Sequence, residues 1–451
     1  MNKPNGGAAP EFPREPIQVI APPLQRFLHT ESASGLALLF ATLLALTLAN
    51  SPLAPSFDAI WRTHVALRLE DLSWDHSLRH WINDGLMTLF FFVVGLEIKR
   101  ELVAGELREL RVAALPIAAA IGGMAVPAAL YLALVSFVLP PQPQAEDGWG
   151  VVMATDIAFA VGCMALLGRC VPASLRIFIL ALAVVDDIGA IVVIAAGYSQ
   201  EISLLPVAAA LGGLLVTSFI RWLGVRDMAA YWVVGVLTWA AMHESGVHPA
   251  IAGVVIGLVT PARPWIEHGL LNRFLSWALG VAPQDGGPDD AHKPKPVRKK
   301  LARAALESLS PLQRLEDTLH PWSAFLVLPL FALANAGIAI SAAALIEPIS
   351  IAIMAGLAIG KPVGVFAASW LAVTCGIARK SADVSWPMIA AAGMLAGIGF
   401  TMSLFIANLA FEGEALRSAK MGVLAASLVS ALFGLILLWS VTPKAPGQSG
   451  A

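Results

Sequence analysis

The segment that decides the fold is residues 177–197, IFILALAVVDDIGAIVVIAAG, in which two adjacent aspartates interrupt an apolar run. A membrane-spanning helix needs about 20 mostly apolar residues, and this segment is long enough. An ionised side chain in such a helix costs about 2.5–3.5 kcal/mol on insertion scales, so Asp186 and Asp187 mark either an ion pathway or an ion pair. The segment therefore predicts a membrane helix that carries a polar site.

The remainder of the chain has the same character. Of its 451 residues, 57% are hydrophobic and 13% are charged, and the mean hydropathy is +0.74. A soluble domain of this composition would expose large apolar areas, so the composition indicates an all-α polytopic membrane protein. Apolar runs between charged or Gly/Pro-rich connectors predict twelve transmembrane helices, near residues 34–50, 83–98, 112–137, 148–168, 174–198, 203–221, 229–242, 247–260, 322–341, 350–377, 385–410 and 418–441.

The connectors give the orientation, because positive residues in short loops stay in the cytoplasm. Most Lys and Arg residues fall in the inner loops if both termini are cytoplasmic. The outer connector 51–82 contains alternating residues at 64–69, which fit a short hairpin and equally an irregular amphipathic loop. The inner loop 261–321 is rich in Pro, Gly and charge, so we expect it to be disordered.

Four ionisable side chains lie deep in the predicted helices: Asp156, Asp186, Asp187 and Lys361. Three acids and one base leave an excess of negative charge. Alkali cations prefer oxygen ligands, and Thr155 adds a hydroxyl beside Asp156. Neighbouring carboxylates at low dielectric resist ionising together, so the aspartate pair is expected to titrate as a unit. The same oxygens can then hold protons or a metal cation, which is what a cation–proton exchanger requires.

A purely structural role is the alternative for each of these groups. Two adjacent buried carboxylates need twice as many compensating interactions as one. A purely structural role is therefore disfavoured for Asp186 and Asp187. Lys361 fits a structural ion pair and a proton carrier equally well. Gly397 and Gly399 lie in the middle of the eleventh predicted helix and permit an unwound stretch, although close packing through small residues gives the same pattern.

Other classes of protein are disfavoured. The net charge is -2 and the basic residues are scattered, so we expect no nucleic-acid partner. The three cysteines show no paired spacing, and we expect no disulfide, no cysteine metal site and no cofactor. An intramembrane aspartyl protease usually takes its two acids from different helices, so we do not expect an enzyme. A Na+-coupled symporter of an organic solute remains a second alternative.

Nine short motifs run through nearly the whole chain, and together they resemble the NhaA-type Na+/H+ antiporters of bacteria. They are residues 81–87 (WINDGLM), 92–102 (FVVGLEIKREL), 154–160 (ATDIAFA), 185–190 (VDDIGA), 245–248 (SGVH), 319–322 (LHPW), 331–337 (FALANAG), 360–362 (GKP) and 397–403 (GIGFTMS).

The resemblance implies a fold. Spans three to five and ten to twelve would form a core of inverted repeats, with spans four and eleven broken and crossing each other. The other spans would form an interface domain, and the outer hairpin would support a homodimer in the bacterial inner membrane. The implied divisions are a cytoplasmic tail 1–33, interface segments 34–110 and 201–341, core segments 111–200 and 342–441, and a cytoplasmic tail 442–451.

The resemblance also implies residue roles. Asp187 would be the principal Na+ or Li+ ligand, with Asp186 beside it and able to pair with Lys361. Thr155 and Asp156 would line the crossing, where Asp156 and Lys361 offset the dipoles of the half-helices. The pH-sensing residues of the family correspond to Glu97, Arg100, Glu101, Glu316 and His320.

The implied activity is electrogenic exchange of two protons inward for one Na+ or Li+ outward, which would maintain internal pH and sodium. The implied partners are these ions, membrane lipids and a second copy of the chain. The residues do not decide whether Asp186 or Lys361 carries the second proton. Asp317 stands where family members can carry a histidine, which leaves the pH set-point open, and the charges at the inner helix ends also fit a solvated surface.

Overall fold

The computed structural model describes residues 31–69, 72–142, 144–199, 202–223, 228–262 and 309–442. The predicted tail 1–33 and loop 261–321 lie mostly outside the described residues. The same holds for the turn of the outer hairpin, Glu70 and Asp71, and for all of the predicted tail after residue 442.

The described chain consists mainly of helices joined by short connectors. In chain order these helices are α1 (Glu31–Ala49), α2 (Ala54–Arg62), α3 (Leu78–Val103), α4 (Arg111–Val138), α5 (Ile157–Leu166), α6 (Ala173–Gly197), α7 (Leu204–Trp222), α8 (Met228–His243), α9 (Ala250–Val259), α10 (Pro311–Asn335), α11 (Ala342–Leu345), α12 (Pro348–Thr374), α13 (Trp386–Ala396), α14 (Phe400–Ala410) and α15 (Gly413–Val441).

A small sheet stands between α2 and α3. Strands β1 (His64–Leu69) and β2 (Leu72–Ser77) pair antiparallel, with His64 opposite Ser77. The alternating residues of the outer connector therefore form a hairpin, which decides between the two structures that their pattern allows.

Six of the described helices are long and apolar enough to cross a membrane: α3, α4, α6, α10, α12 and α15. The number rises to eight if each of two bent pairs is one span, with a bend of 115° between α1 and α2 and of 44° between α13 and α14. Shorter apolar helices are present as well. The chain is thus a mostly helical, polytopic membrane protein, and the figure of twelve spans stays a prediction.

The helices around the aspartate pair pack closely. Helix α4 lies along α12, and a Cβ atom at Gly364 would be 2.1 Å from the carbonyl oxygen of Gly122. Small residues let membrane helices approach to this degree. Helix α6 packs on α4, while α13 packs on both α12 and α15. Large apolar side chains elsewhere face outward, such as Phe137, which suits contact with lipid.

Two interruptions of the helical backbone lie against each other inside this bundle. Helix α5 begins only at Ile157, after the non-helical residues 154–156, and α13 and α14 are separated by residues 397–399. The backbone N–H of Asp156 donates to the carbonyl of Ile398 at 2.6 Å, and the Ser403 hydroxyl donates to the carbonyl of Val151 at 2.6 Å. These contacts bring Asp156 and Thr155 next to α6.

Candidate cation site

Asp156 accepts hydrogen bonds from the first turns of two helices. Its Oδ1 accepts from the backbone N–H of Phe159 in α5 at 3.0 Å. Its Oδ2 accepts from the backbone N–H of Thr401 in α14 at 3.0 Å and from the Thr401 hydroxyl at 2.6 Å. The first N–H groups of a helix lack partners within the helix and carry partial positive charge. One buried carboxylate therefore satisfies both helix ends, and the two ends stabilise its negative charge.

Asp186 forms a buried ion pair with Lys361. The ammonium Nζ lies 2.7 Å from Asp186 Oδ2 and also donates to the carbonyl of Met153. Both side chains are fully buried, so each charge depends on the other for compensation. The second oxygen, Oδ1, is buried and has no hydrogen-bond partner within the described ranges. Asp186 therefore keeps one oxygen available for a further ligand.

Thr155 connects this pair to the interrupted helix. Its Oγ1 lies 2.6 Å from Asp186 Oδ2 and 2.9 Å from the carbonyl oxygen of Ala396 at the end of α13. A hydroxyl has one proton, so it can donate to only one of these two acceptors. The direction of this hydrogen bond can therefore follow the protonation of Asp186.

Asp187 has different surroundings from its neighbour. Consecutive residues of an α-helix point about 100° apart, so the two side chains leave α6 in different directions. The Asp187 carboxylate lines a cavity of about 900 Å³, together with Thr155, Asp156 and Thr401. Across the part of the chain that the structure describes, no hydrogen bond or ion pair involves this carboxylate. Asp187 is thus the buried acid with oxygens free to bind a cation that enters the cavity.

The cavity connects Asp187 to a group of charged residues at the end of α3. All five predicted pH-sensing residues line it: Glu97, Arg100, Glu101, Glu316 and His320. Arg100 donates to Glu316 and pairs with Glu101 at 3.3 Å. His320 Nε2 lies 4.0 Å from Glu97 Oε1. These residues line the same cavity as Asp187, at the end that we call the cavity mouth, so a charge change there acts on Asp187 electrostatically.

An amide network at the opposite end of α3 was not predicted. Asn335 Nδ2 donates to Asn83 Oδ1 at 2.8 Å, and Asn408 Nδ2 donates to Asn335 Oδ1 at 3.0 Å. The network joins α3, α10 and α14. Asn83 and Glu97 lie on the same helix and are separated by about 21 Å at 1.5 Å per residue. The network therefore lies far from the cavity mouth. Sequence reasoning missed it because it searched apolar segments for ionisable groups only.

The inventory of deep charges from the sequence was also incomplete. Lys420, which lies near the start of α15, is only 5% exposed. It stands at the beginning of an apolar run, where sequence alone assigns it to the surface. The helix begins at Gly413, so its length could have indicated that Lys420 lies within the helix and is buried in the protein.

Comparison with known proteins gives a consistent match. The sequence model of the family described as Na+/H+ antiporter 1 matches residues 25–438. The chain is 46% identical to Na+/H+ antiporter NhaA 2 of Acidiphilium cryptum (strain JF-5), over 100% of the chain and 98% of the relative. It is 47% identical to Na+/H+ antiporter NhaA of Rhizobium meliloti (strain 1021), over 96% of the chain and 97% of the relative. The NhaA antiporter of Rhodopirellula baltica is 46% identical over 97% of the chain.

Proposed function

The chain belongs to the Na+/H+ antiporter 1 family, and from this premise we propose that it exchanges Na+ or Li+ for protons across the bacterial inner membrane. The observation that carries the proposal is the Asp187 carboxylate. It is buried, it faces a cavity, and it lies beside an aspartate that is already paired with a lysine. One acid is therefore available to the cation, while its neighbour has a partner that an arriving cation can displace.

Exchange follows if protons and the cation compete for the same oxygens. A Na+ ion that reaches Asp187 replaces its proton, because a carboxylate oxygen cannot hold both. The positive charge of the ion then acts on the Asp186–Lys361 pair next to it, since little water screens the interaction. Two routes release the second proton. Either Lys361 loses it as its ion pair with Asp186 breaks, or Asp186 loses it from a state in which Asp186 is a protonated acid and Lys361 a neutral amine.

Each route moves two protons inward for one Na+ outward, so one net charge crosses the membrane in each cycle. A membrane potential contributes about 2.3 kcal/mol per 100 mV for each charge. Such an exchanger can use that potential to export Na+ and so maintain internal sodium and pH.

The proposal includes an architecture. Twelve spans would cross the membrane, with both termini cytoplasmic. The interrupted regions before α5 and between α13 and α14 would be the broken, crossing spans four and eleven, in a core of residues 111–200 and 342–441 that forms inverted repeats. The contacts of Asp156 with both α5 and α14 support this arrangement. Residues 34–110 and 201–341 would form the interface domain, and the outer hairpin would pair two copies.

The cavity mouth would then open to the cytoplasm, and its charges would regulate activity by pH. The arrangement of Arg100 between Glu101 and Glu316 supports this role, because protonation of either acid changes the field along the cavity. Asp317 is exposed and is not among the lining residues, but its negative charge acts on the neighbouring Glu316 carboxylate.

Two rival functions have less support. An aspartyl protease needs two carboxyl groups that share a proton, whereas the Asp186 carboxylate pairs with Lys361. A symporter of an organic solute needs groups that recognise the solute, and the inner end of the cavity carries acids suited to a small cation.

Everted membrane vesicles test the proposal. A pH-sensitive dye reports acidification of the vesicle interior, and added Na+ should reverse its quenching when the wild-type protein is present. Asp187→Asn keeps the size of the side chain and should abolish the response. The matched control is Asp383→Asn, which removes a fully exposed carboxylate whose pKa is lowered by hydrogen bonds from Ser174 and Ser381. Normal exchange by Asp187→Asn, at equal protein levels, would contradict the assignment.

A further inference from the structure

Three histidines from separate elements meet near the amide-network end of α3. They are His76 on β2, His80 in the first turn of α3 and His243 at the end of α8. One ring nitrogen from each lies within 4.8 Å of the other two. The ring centroids of His76 and His80 are 4.2 Å apart, and that of His243 lies 5.5 Å from His76 and 5.9 Å from His80.

A carboxylate lies beside the group. Asp84 follows His80 by one helical turn, and its Oδ2 lies 3.4 Å from His80 Nε2 and 3.7 Å from His243 Nδ1. The His80 Nε2 atom is buried and makes no hydrogen bond within the described residues. Buried polar atoms of native proteins nearly always have a partner, so this nitrogen indicates a ligand that is absent here.

The donor set suits a transition metal. Three imidazoles, with water in the fourth position, form a known kind of tetrahedral Zn2+ site, in which the bonds to nitrogen are about 2.0–2.1 Å. Tetrahedral bonds of that length place the ligand atoms about 3.4 Å apart. The ring nitrogens therefore need to approach by no more than about 1.5 Å, which rotation of the side chains supplies.

Tryptophans surround the histidines. The Trp239 ring stacks on His243 with a centroid distance of 5.9 Å and an interplanar angle of 24°. The rings of Trp74 and His243 meet edge to face with a centroid distance of 5.8 Å. The ring centroids of Trp81 and His76 are 6.2 Å apart. Such packing keeps the histidines near one another, as groups around metal ligands commonly do. It also places natural fluorophores next to the cluster.

We propose that His76, His80 and His243 bind one divalent transition-metal ion, with Zn2+ as the best fit, and that Asp84 lies beside the ion site. The ion ties the outer hairpin to α3 and α8 and is separate from the cation that the aspartate pair exchanges. His243 is distant in sequence from His76 and His80, so the ion crosslinks the folded protein and stabilises it.

The test uses the full-length protein in detergent, purified without a polyhistidine tag and stripped with a chelator. Zinc chloride is added, excess is removed on a desalting column, and bound zinc is measured by atomic emission. The wild type should retain one zinc per chain and show a higher unfolding temperature. Loss of a second-shell partner already weakens metal binding 10–100-fold, so His243→Ala and His80→Ala should weaken it at least about 100-fold.

His64→Ala is the matched control, because His64 lies on the same hairpin but pairs with Asp75 outside the cluster. It should bind zinc as the wild type does. Co2+ gives a second readout, since tetrahedral nitrogen coordination produces strong visible absorption that does not depend on stability. The proposal is overturned if the wild type retains no zinc, or if His243→Ala and His80→Ala bind as much zinc as His64→Ala.

Discussion

Asp186 and Asp187 are adjacent in the chain and yet have opposite environments. Asp186 is held by Lys361 and Thr155, whereas Asp187 faces the cavity without a protein partner in the described chain. The helix geometry explains the difference, because consecutive side chains point about 100° apart. Under the proposed function, two adjacent acids in one helical turn would have different roles: one would bind the cation, and the protonation of the other would respond to it.

The ion pair gives a prediction about stability. Lys361→Met keeps the length of the side chain but leaves the Asp186 carboxylate buried without its counter-ion. Removal of one partner from a buried pair typically costs about 3–5 kcal/mol. The unfolding temperature of the purified protein should fall markedly, and Asp186→Asn in the same chain should restore much of it. Equal stability of Lys361→Met and the wild type would show that the pair contributes little.

Thr155 gives a prediction about the exchange itself. Thr155→Val removes the hydroxyl that contacts both Asp186 and the Ala396 carbonyl. A hydrogen bond of this kind contributes about 0.5–1.5 kcal/mol, so the apparent KM for Na+ should rise about 2–10-fold in vesicle assays. The control is Thr217→Val, whose hydroxyl bonds only to Gly213 within its own helix. Equal KM values for the two variants would count against a role for Thr155.

The residue scale also shows how far the sequence could predict the site. Asp156, Asp186, Asp187 and Lys361 were recognisable because a charge in an apolar run is conspicuous. The Asn335 network and the histidine cluster were not, because residues that contact each other directly come from segments up to 252 residues apart and each is ordinary in its own segment. Only the folded chain shows which of them meet.

At the scale of elements, the break between α13 and α14 is the feature that the aspartate site depends on. Gly397 lies at the start of the break, where the backbone passes close to neighbouring helices. A Cβ atom there would be 2.5 Å from the carbonyl oxygen of Leu357 and 2.7 Å from Ser430 Oγ. The glycine permits an approach that any other residue would prevent.

Gly397→Ala should therefore destabilise the protein. Overpacking of a well-packed interior costs about 1–3 kcal/mol, and the displaced backbone would move Thr155 and Asp156 as well. The matched control is Gly212→Ala in α7, where an added Cβ meets nothing within 4 Å. Thermal unfolding should separate the two variants, and similar unfolding temperatures would mean that the break tolerates a side chain.

Elements differed in how well the sequence predicted them. The long apolar helices were predictable from length and composition alone. Helix α2 was not predicted, because nine residues that bury only Phe57 and Trp61 do not form an apolar run. The hairpin could not be decided in advance, since the short alternation of residues 72–75 in β2 does not show that this segment pairs with β1.

At the scale of the whole molecule, the cavity gives the site access from one side. It joins Asp187 to the charged group around Glu316, while the Asn335 network ties α3, α10 and α14 together at the other end. An exchanger must present its site to each side in turn, so the structure corresponds to one of two states.

The charges at the cavity mouth should raise the local concentration of Na+. Glu316→Gln removes one negative charge and leaves Arg100 paired with Glu101. If this charge contributes about 0.5–1 kcal/mol to Na+ binding, its loss should raise the apparent KM for Na+ about 2–5-fold, with little change in the maximal rate. The effect should shrink in high salt, because screening is stronger. A KM equal to that of Asp383→Asn would exclude this contribution.

The most direct test of the account is Na+ uptake by proteoliposomes that contain only the purified chain, with and without an acidic interior. The account predicts that the proton gradient drives Na+ uptake in the absence of any organic solute, and that Asp187→Asn abolishes this uptake. Na+ uptake that is equal with and without the proton gradient, or that persists in Asp187→Asn, would contradict the claim that protons and Na+ compete for this carboxylate.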